Sequence, residues 1–138
     1  MTTKTEASYP GEHAPVEEGR GAVIDLNEME WTKVAGKVKG VLEKPILVRA
    51  EHESTLWVSQ AKLVPGGVFP RHYHPYPQVF VFLAGNGIVE LDGKRVDVGP
   101  GVTVRMLAGE SHQVMNEGDE DLVLMQISVP GWKEDESS

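Results

Sequence analysis

The sequence has no cysteine and no excess of positive charge. Without cysteine the chain cannot form a disulfide, a thiolate metal site or a thiol nucleophile. Any metal ion must therefore be bound through nitrogen and oxygen atoms. The 138 residues carry 13 Lys and Arg against 21 Asp and Glu, a formal net charge of −8. Because nucleic-acid binding depends on clustered basic side chains, we expect no nucleic-acid partner.

Long hydrophobic runs are also missing. Residues 1–20 are rich in Thr, Glu, Pro and Gly and contain no apolar stretch that suits a signal peptide or a membrane span. We therefore expect a cytoplasmic protein with no membrane partner. A chain of 138 residues suits one domain with a hydrophobic core. The composition predicts this domain at residues 21–130, flanked by flexible tails at residues 1–20 and 131–138.

The sequence does contain many short apolar segments that are separated by turn residues. This spacing is typical of an all-β sandwich or barrel. The Asp92-Gly93 pair between two alternating runs favours a type I′ hairpin, and residues 85–87 favour a second hairpin. A helix of about two turns or an irregular loop is expected near Asn27 to Val34, where Asn27 and Glu30 can form a capping box. The predicted strands are residues 22–26, 45–50, 55–64, 78–84, 87–91, 94–98, 103–107, 112–116 and 121–129.

Three histidines and one glutamine form the pattern that points to chemistry. His72 and His74 lie two residues apart, so on a strand both imidazoles face the same side and can chelate one ion. Gln78 follows four residues later and offers a neutral amide oxygen. His112 lies far along the chain, and it can join the first two only if the sheet closes on itself, as a barrel does.

Two spaced motifs around these residues resemble the signature of the cupin superfamily. The first, G-x5-H-x-H-x3-E-x6-G, falls on Gly66, His72, His74, Gln78 and Gly85, with Gln in the place of Glu. The second, G-x5-P-x-G-x2-H-x3-N, falls on Gly101, Leu107, Gly109, His112 and Asn116, with Leu in the place of Pro. Every spacing is kept, and the resemblance extends over residues 55–129.

The resemblance implies an all-β fold, an antiparallel jelly-roll (cupin) β-barrel that pairs as a homodimer. It also implies one divalent transition metal inside the barrel, either Fe, Mn, Ni or Zn. Its ligands would be His72, His74, Gln78 and His112. The motif glycines are expected at turns that need positive φ or close backbone approach.

The resemblance leaves several functions open. The run HYHPYPQ at residues 72–78 is similar to that of the bacterial cupin hydroxynitrile lyases, whereas other cupins of this size are dioxygenases. We therefore expect a metal-dependent enzyme acting on a small organic substrate, with Lewis-acid lyase or isomerase chemistry or with oxygen. The alternative is a regulatory cupin that binds a small molecule without turnover. Candidate catalytic residues are Tyr76 in the ligand loop, Arg105 as a carboxylate clamp and Gln126 on the last strand.

Overall fold

The structure is a computed structural model that describes residues 12–13, 21–48 and 55–128. The predicted tail at residues 131–138 lies outside the described residues, as does the tail at residues 1–20 apart from residues 12–13. The chain divides into two compact units, Met1–Thr32 and Lys33–Ser138. In the part of the chain that the structure describes, no helix has the length and apolar character needed to cross a membrane.

The described part of the first unit contains two short strands and one helical turn. Strands β1 (Glu12–His13) and β2 (Val23–Ile24) form an antiparallel pair. A 3-10 turn follows at Leu26–Glu28, and the Asp25 carboxylate caps it by accepting a hydrogen bond of 2.9 Å from the Asn27 backbone N–H. Of the two alternatives expected near residues 27–34, the two-turn helix is therefore wrong, because the chain returns to extended backbone at Met29. Strand β3 (Thr32–Lys33) spans the boundary between the units.

The second unit consists of antiparallel strands joined by short turns. Its strands are β4 (Lys39–Leu47), β5 (Trp57–His72), β6 (Gln78–Ala84), β7 (Gly87–Leu91), β8 (Lys94–Val98), β9 (Thr103–Met106), β10 (His112–Met115) and β11 (Leu122–Ser128). Strands β6, β7 and β8 have the predicted bounds. Strand β4 starts well before the predicted residue 45, and β5 continues past residue 64 to His72.

The long strand β5 connects the two halves of the barrel. The strand order is β8-β7-β10-β5-β11-β6-β9, and β4 pairs with β5 as well. Residues 57–63 of β5 pair with β11, whereas residues 68–72 of the same strand pair with β10. The sheet therefore turns back on itself along β5, and the predicted all-β antiparallel jelly-roll barrel is confirmed.

The hydrophobic core fills the interior of this barrel. Along β5, Ser59, Ala61 and Leu63 are fully buried, as their shared strand face predicts. Asp92 and Gly93 have φ values of 51° and 90°, which confirms the type I′ turn between β7 and β8. The core cluster contains Val41, Ala61, Leu63, Phe80, Phe82, Val89, Val98, Val104, Met106, Val114, Leu122 and Leu124.

Candidate metal centre

Two neighbouring strands carry the histidines to one place. His72 is the last residue of β5, and His74 follows it where the chain leaves the sheet. His112 is the first residue of β10 and lies directly opposite His72 in the antiparallel register. The barrel thus brings together residues from both sequence motifs, as the sequence predicts.

The three imidazoles are close enough to share one ion. One ring nitrogen from each of His72, His74 and His112 lies within 4.8 Å of the others. Their ring centroids are 4.4 Å apart for His72 and His112, 4.7 Å for His72 and His74, and 5.3 Å for His74 and His112. His74 and His112 are 6% and 2% exposed. These residues form a group that can hold a metal ion.

Backbone carbonyls orient two of the rings. His72 Nδ1 lies 2.7 Å from the Pro70 carbonyl oxygen, and His112 Nδ1 lies 3.3 Å from the Glu110 carbonyl oxygen. Because a carbonyl oxygen can only accept, each Nδ1 donates its proton, and the lone pair is left on Nε2. This is the tautomer that a metal-binding imidazole needs, held by the carbonyl that commonly supports such a ligand.

Gln78 supplies a buried amide at the start of β6. The side chain is 8% exposed, and its Nε2 donates a hydrogen bond of 3.1 Å to Ser128 Oγ. Its Oε1 is buried and has no hydrogen-bond partner among the described residues. Gln78 shares a strand face with Phe80, whose ring centroid lies 5.8 Å from that of His112. A buried amide oxygen that lacks a donor fits the expected role as a neutral metal ligand.

The charge of this group follows from its composition. Among the described residues it contains three histidines and no carboxylate. Neutral imidazoles and an amide would leave a bound dication with its full charge, whereas a carboxylate ligand would neutralise part of it. Such a site favours anionic oxygen donors from a substrate.

The other predicted residues lie in different surroundings. Tyr76 is buried and stacks on His74, with ring centroids 4.7 Å apart and an interplanar angle of 15°. Gln126 is buried on β11 and donates a hydrogen bond of 3.0 Å from Nε2 to Ser59 Oγ. Arg105 is exposed on β9 between the buried Val104 and Met106, so it points outward. The structure therefore places Arg105 on the outer face of β9, whereas the histidines lie inside the barrel.

Sequence analysis missed an acidic residue on the barrel wall. Glu43 lies on β4, opposite Ala61 of β5. Burial raises the pKa of Glu43 above its ordinary value of 4.5, while a hydrogen bond with Ser59 acts in the opposite direction. The signal was present in the sequence, because Glu43 shares its strand parity with the apolar Val41. The predicted strand began only at residue 45, however, so Glu43 fell outside it and was not assigned to the inner face.

Fold and site together define a class of protein: antiparallel β-barrels that enclose a group of histidines able to hold a metal ion. Residues 59–129 match the Cupin domain family, Cupin_2, and the chain belongs to this family.

Two curated relatives and one solved structure give the context. The chain is 27% identical over 119 residues to the oxalate-binding protein of Thermotoga maritima, covering 83% of this chain and 98% of that protein. It is 32% identical over 107 residues to the polyketide synthase CurC of Streptomyces cyaneus, covering 74% of this chain and 65% of that protein. The polyketide cyclase RemF of Streptomyces resistomycificus shares the fold with a TM-score of 0.72 and 16% identity, over 79% of each chain.

Proposed function

We propose that this protein is a metal-dependent enzyme that acts on a small, oxygen-bearing organic substrate inside the barrel. The ligands in this proposal are His72, His74, His112 and Gln78. The observation that carries it is the convergence of three imidazole nitrogens within 4.8 Å of one another. The buried Gln78 Oε1, which has no donor among the described residues, supports a fourth ligand position.

A divalent ion at this site would supply Lewis-acid polarisation of a substrate carbonyl or hydroxyl oxygen, or, as iron, the reaction with oxygen. The protein's own residues would orient the substrate and exclude water. Tyr76 stacks on His74. Gln126 places an amide on the inner wall, and Phe80 packs edge-on against His112. We propose that Tyr76 and Gln126 donate hydrogen bonds to the substrate.

Binding without turnover is the second candidate function. The Thermotoga maritima relative is named for binding oxalate, and the chain spans 98% of that protein. A centre built from neutral ligands suits a small dianion of this kind, since no ligand carboxylate repels it. In this case Gln126 and Tyr76 would hold the ligand, and no bond in it would change.

Metal analysis tests the site directly. We expect protein purified without added metal to contain close to one divalent transition metal ion per chain, measured by elemental analysis. His72→Ala and His112→Ala should lose it, and Gln78→Ala should retain less after dialysis against a chelator. Tyr73→Ala is the matched control, because Tyr73 lies between two of the histidines yet is 56% exposed. Equal metal content in the parent protein and in both histidine variants would contradict the proposed ligands.

Three measurements on the same preparations separate the candidate functions. Oxygen consumption with the iron-loaded protein and a panel of small organic acids and ketones identifies an oxygenase. Substrate conversion by the zinc-loaded protein without oxygen identifies Lewis-acid chemistry, because zinc has no redox activity. Calorimetric binding of oxalate with no conversion by either form supports the binding function instead.

A further inference from the structure

Gln78 and Ser128 form a buried pair directly across two neighbouring strands. Gln78 is the first residue of β6, Ser128 is the last residue of β11, and the antiparallel register places them opposite one another. Gln78 Nε2 donates a hydrogen bond of 3.1 Å to Ser128 Oγ. The two residues are 8% and 7% exposed. Because water has little access to side chains buried in this way, the amide nitrogen depends on the serine hydroxyl for its partner.

The two ends of the Gln78 amide differ in what they can bind. Oε1 carries lone pairs that can face a cation, whereas Nε2 carries two hydrogens and cannot ligate one. Because Nε2 is held by Ser128, Oε1 is the end of the amide that is turned away from this serine. That oxygen is buried and has no hydrogen-bond partner among the described residues. The pair therefore leaves the ligating end of the amide available.

Gln78 lies on the face of β6 that packs against the histidine group. It follows His74 by four residues and shares its strand face with Phe80. The Phe80 ring packs edge-on against His112, with ring centroids 5.8 Å apart. Ser128 needs no contact of its own with the histidines, since any effect on a bound ion would pass through the hydrogen bond to Gln78.

The barrel contains a second amide–serine pair of the same kind. Gln126 Nε2 donates a hydrogen bond of 3.0 Å to Ser59 Oγ, again directly across two strands, β11 and β5. Gln126 and Ser59 are 9% and 0% exposed. Gln126 is not one of the proposed metal ligands. This pair is therefore a matched control, because losing it removes a buried amide–serine hydrogen bond without touching a ligand.

We propose that Ser128 is a positioning residue that holds the Gln78 amide with its oxygen directed to the ion position, and so raises the metal affinity of the candidate centre. The inference rests on the proposed function, because Gln78 must be a ligand. When Oε1 faces the ion, Nε2 faces away from it and needs an acceptor, which Ser128 Oγ supplies. Without that hydroxyl, the ion-bound arrangement leaves a buried N–H unsatisfied, whereas the amide of the ion-free protein can turn. Partners that orient a metal ligand typically change metal affinity by about 10- to 100-fold.

Cobalt(II) titration of the full chain tests the proposal, because the visible absorption of this ion depends on its ligands and reports binding without turnover. We expect Ser128→Ala to weaken cobalt binding by about 10-fold or more and to change the absorption spectrum. Ser59→Ala, which loses the equivalent bond from Gln126, should bind cobalt like the parent protein. Ser128→Thr and Ser128→Val have the same shape, but only threonine keeps the hydroxyl and should bind the more tightly. That comparison decides the question should the alanine variant fail to fold.

A carboxylate in place of the amide removes the need for orientation. Gln78→Glu presents an oxygen whichever way the group turns, and it has no N–H to satisfy. In this background we expect the loss caused by Ser128→Ala to fall well below the loss of about 10-fold expected with glutamine. A serine that merely supports the packing of the barrel would cost the same affinity in both backgrounds.

The outcomes separate this inference from the proposed function. Parent-like cobalt binding by Ser128→Ala, with weaker binding by Gln78→Ala, would overturn the role of Ser128 and leave the ligand set intact. Equal losses in Ser128→Ala and Ser59→Ala, or equal losses in the glutamine and glutamate backgrounds, would also overturn it. Parent-like binding by Gln78→Ala would remove Gln78 from the proposed ligands, and the inference with it. Parent protein that binds no cobalt would refute the proposed metal centre itself.

Discussion

A single amide determines much of the character of the candidate site. Gln78 uses its Nε2 on Ser128 Oγ, which leaves its Oε1 as the atom available to a metal. A glutamate at this position would bring a negative charge, whereas the amide brings none. With Gln78 as a ligand, the site would hold a dication without neutralising it, and an anionic oxygen of a bound small molecule would supply the missing charge.

Glu43 should make the stability of the fold depend on pH. Burial raises the pKa of Glu43 above 4.5, so folding favours its protonated form. That contribution to stability is fully present below pH 4.5 and is lost as the pH rises through the folded-state pKa. We expect Glu43→Gln, which cannot ionise, to gain stability relative to the parent protein as the pH increases from 4.5 towards neutrality. Urea unfolding at several pH values measures the difference.

The exposed Glu120→Gln is the control for this pH effect. It removes one carboxylate from the surface and therefore controls for the change in net charge that Glu43→Gln also makes. A pH-independent stability difference between Glu43→Gln and the parent protein would show that folding does not change the affinity of Glu43 for protons.

At the scale of elements, Asn116 connects three parts of the chain. Its Nδ2 donates to the carbonyl oxygens of Leu63 and Glu120 at 2.9 and 2.8 Å, and its Oδ1 accepts from the Gly118 N–H at 3.0 Å. The side chain thus ties the turn after β10 to the middle of β5. We expect Asn116→Ala to lose about 3 kcal/mol of unfolding free energy, since three buried or half-buried groups lose a partner. Chemical denaturation measures this loss.

Asn116→Asp distinguishes the contribution of the two donated hydrogen bonds to stability from that of the accepted one. Aspartate keeps the shape and the acceptor for Gly118 but brings an oxygen against both carbonyls, so it should also be destabilising. Both variants should still bind metal when folded, because Asn116 is not part of the histidine group. Full stability in Asn116→Asp would show that the two donated bonds contribute little.

The turn between β6 and β7 needs a glycine for two reasons. Gly85 has a φ of 80°, and a Cβ there would collide with the Asp121 carbonyl oxygen. Gly101 has a φ of 92°, but a Cβ there would meet nothing within 4 Å. Alanine at either position strains the backbone, whereas only Gly85→Ala also forces the strand before it away from Asp121. We expect Gly85→Ala to lower the unfolding free energy by at least about 1 kcal/mol more than Gly101→Ala. Equal losses in thermal or chemical unfolding would refute the contact argument.

Strands with local signals were predictable, and those that depend on distant partners were not. The alternating runs around the Asp92-Gly93 turn determine β7 and β8, and both have the predicted bounds. Strand β5 was ended too early because Pro65, Gly66 and Gly67 are typical of a loop. The structure continues the strand because β4 and β10 pair with its second half. Only that long-range pairing reveals where β5 ends. That His72 and His74 lie close together was nevertheless predictable from their spacing.

The site residues that belong to a sequence motif were predictable. Those whose position depends on how distant strands pair were not. His72, His74 and His112 lie together as their spacing predicts. Glu43 has no motif partner nearby, and its contact with Ser59 depends on the register of β4 against β5. Arg105 alternates with the buried Val104 and Met106 along β9, and this alternation places its side chain on the outer face.

For the whole molecule, we expect a homodimer. Leu83 of β6 and Val102 just before β9 are 43% and 37% exposed on neighbouring parts of the outer surface. The backbone hydrogen bond from the Phe82 N–H to the Val102 carbonyl joins these segments. Exposed apolar side chains that lie close together favour a contact between copies. Sedimentation should give twice the 15.1 kDa of one chain, and Leu83→Glu should shift it towards the monomer.

The control for the dimer lies at the other edge of the sheet. Val96 on β8 is also 43% exposed, and Val96→Glu should leave the sedimentation unchanged. A parent protein that sediments as a 15.1 kDa species at tens of micromolar would contradict the dimer.

Metal binding should raise the stability of the entire barrel. A ligand that binds only the folded state adds about 2.7 kcal/mol when its concentration is 100 times its dissociation constant. For a domain of this size that corresponds to a rise of roughly 5 to 15 °C in Tm. The histidine group lies at the end of β5 and the start of β10, so a bound ion would hold these two strands together. We expect zinc to raise the Tm of the parent protein and of Tyr73→Ala, and a chelator to reverse the rise. In His112→Ala the zinc effect should disappear, and a rise equal to that of the parent protein would place the stabilising ion elsewhere.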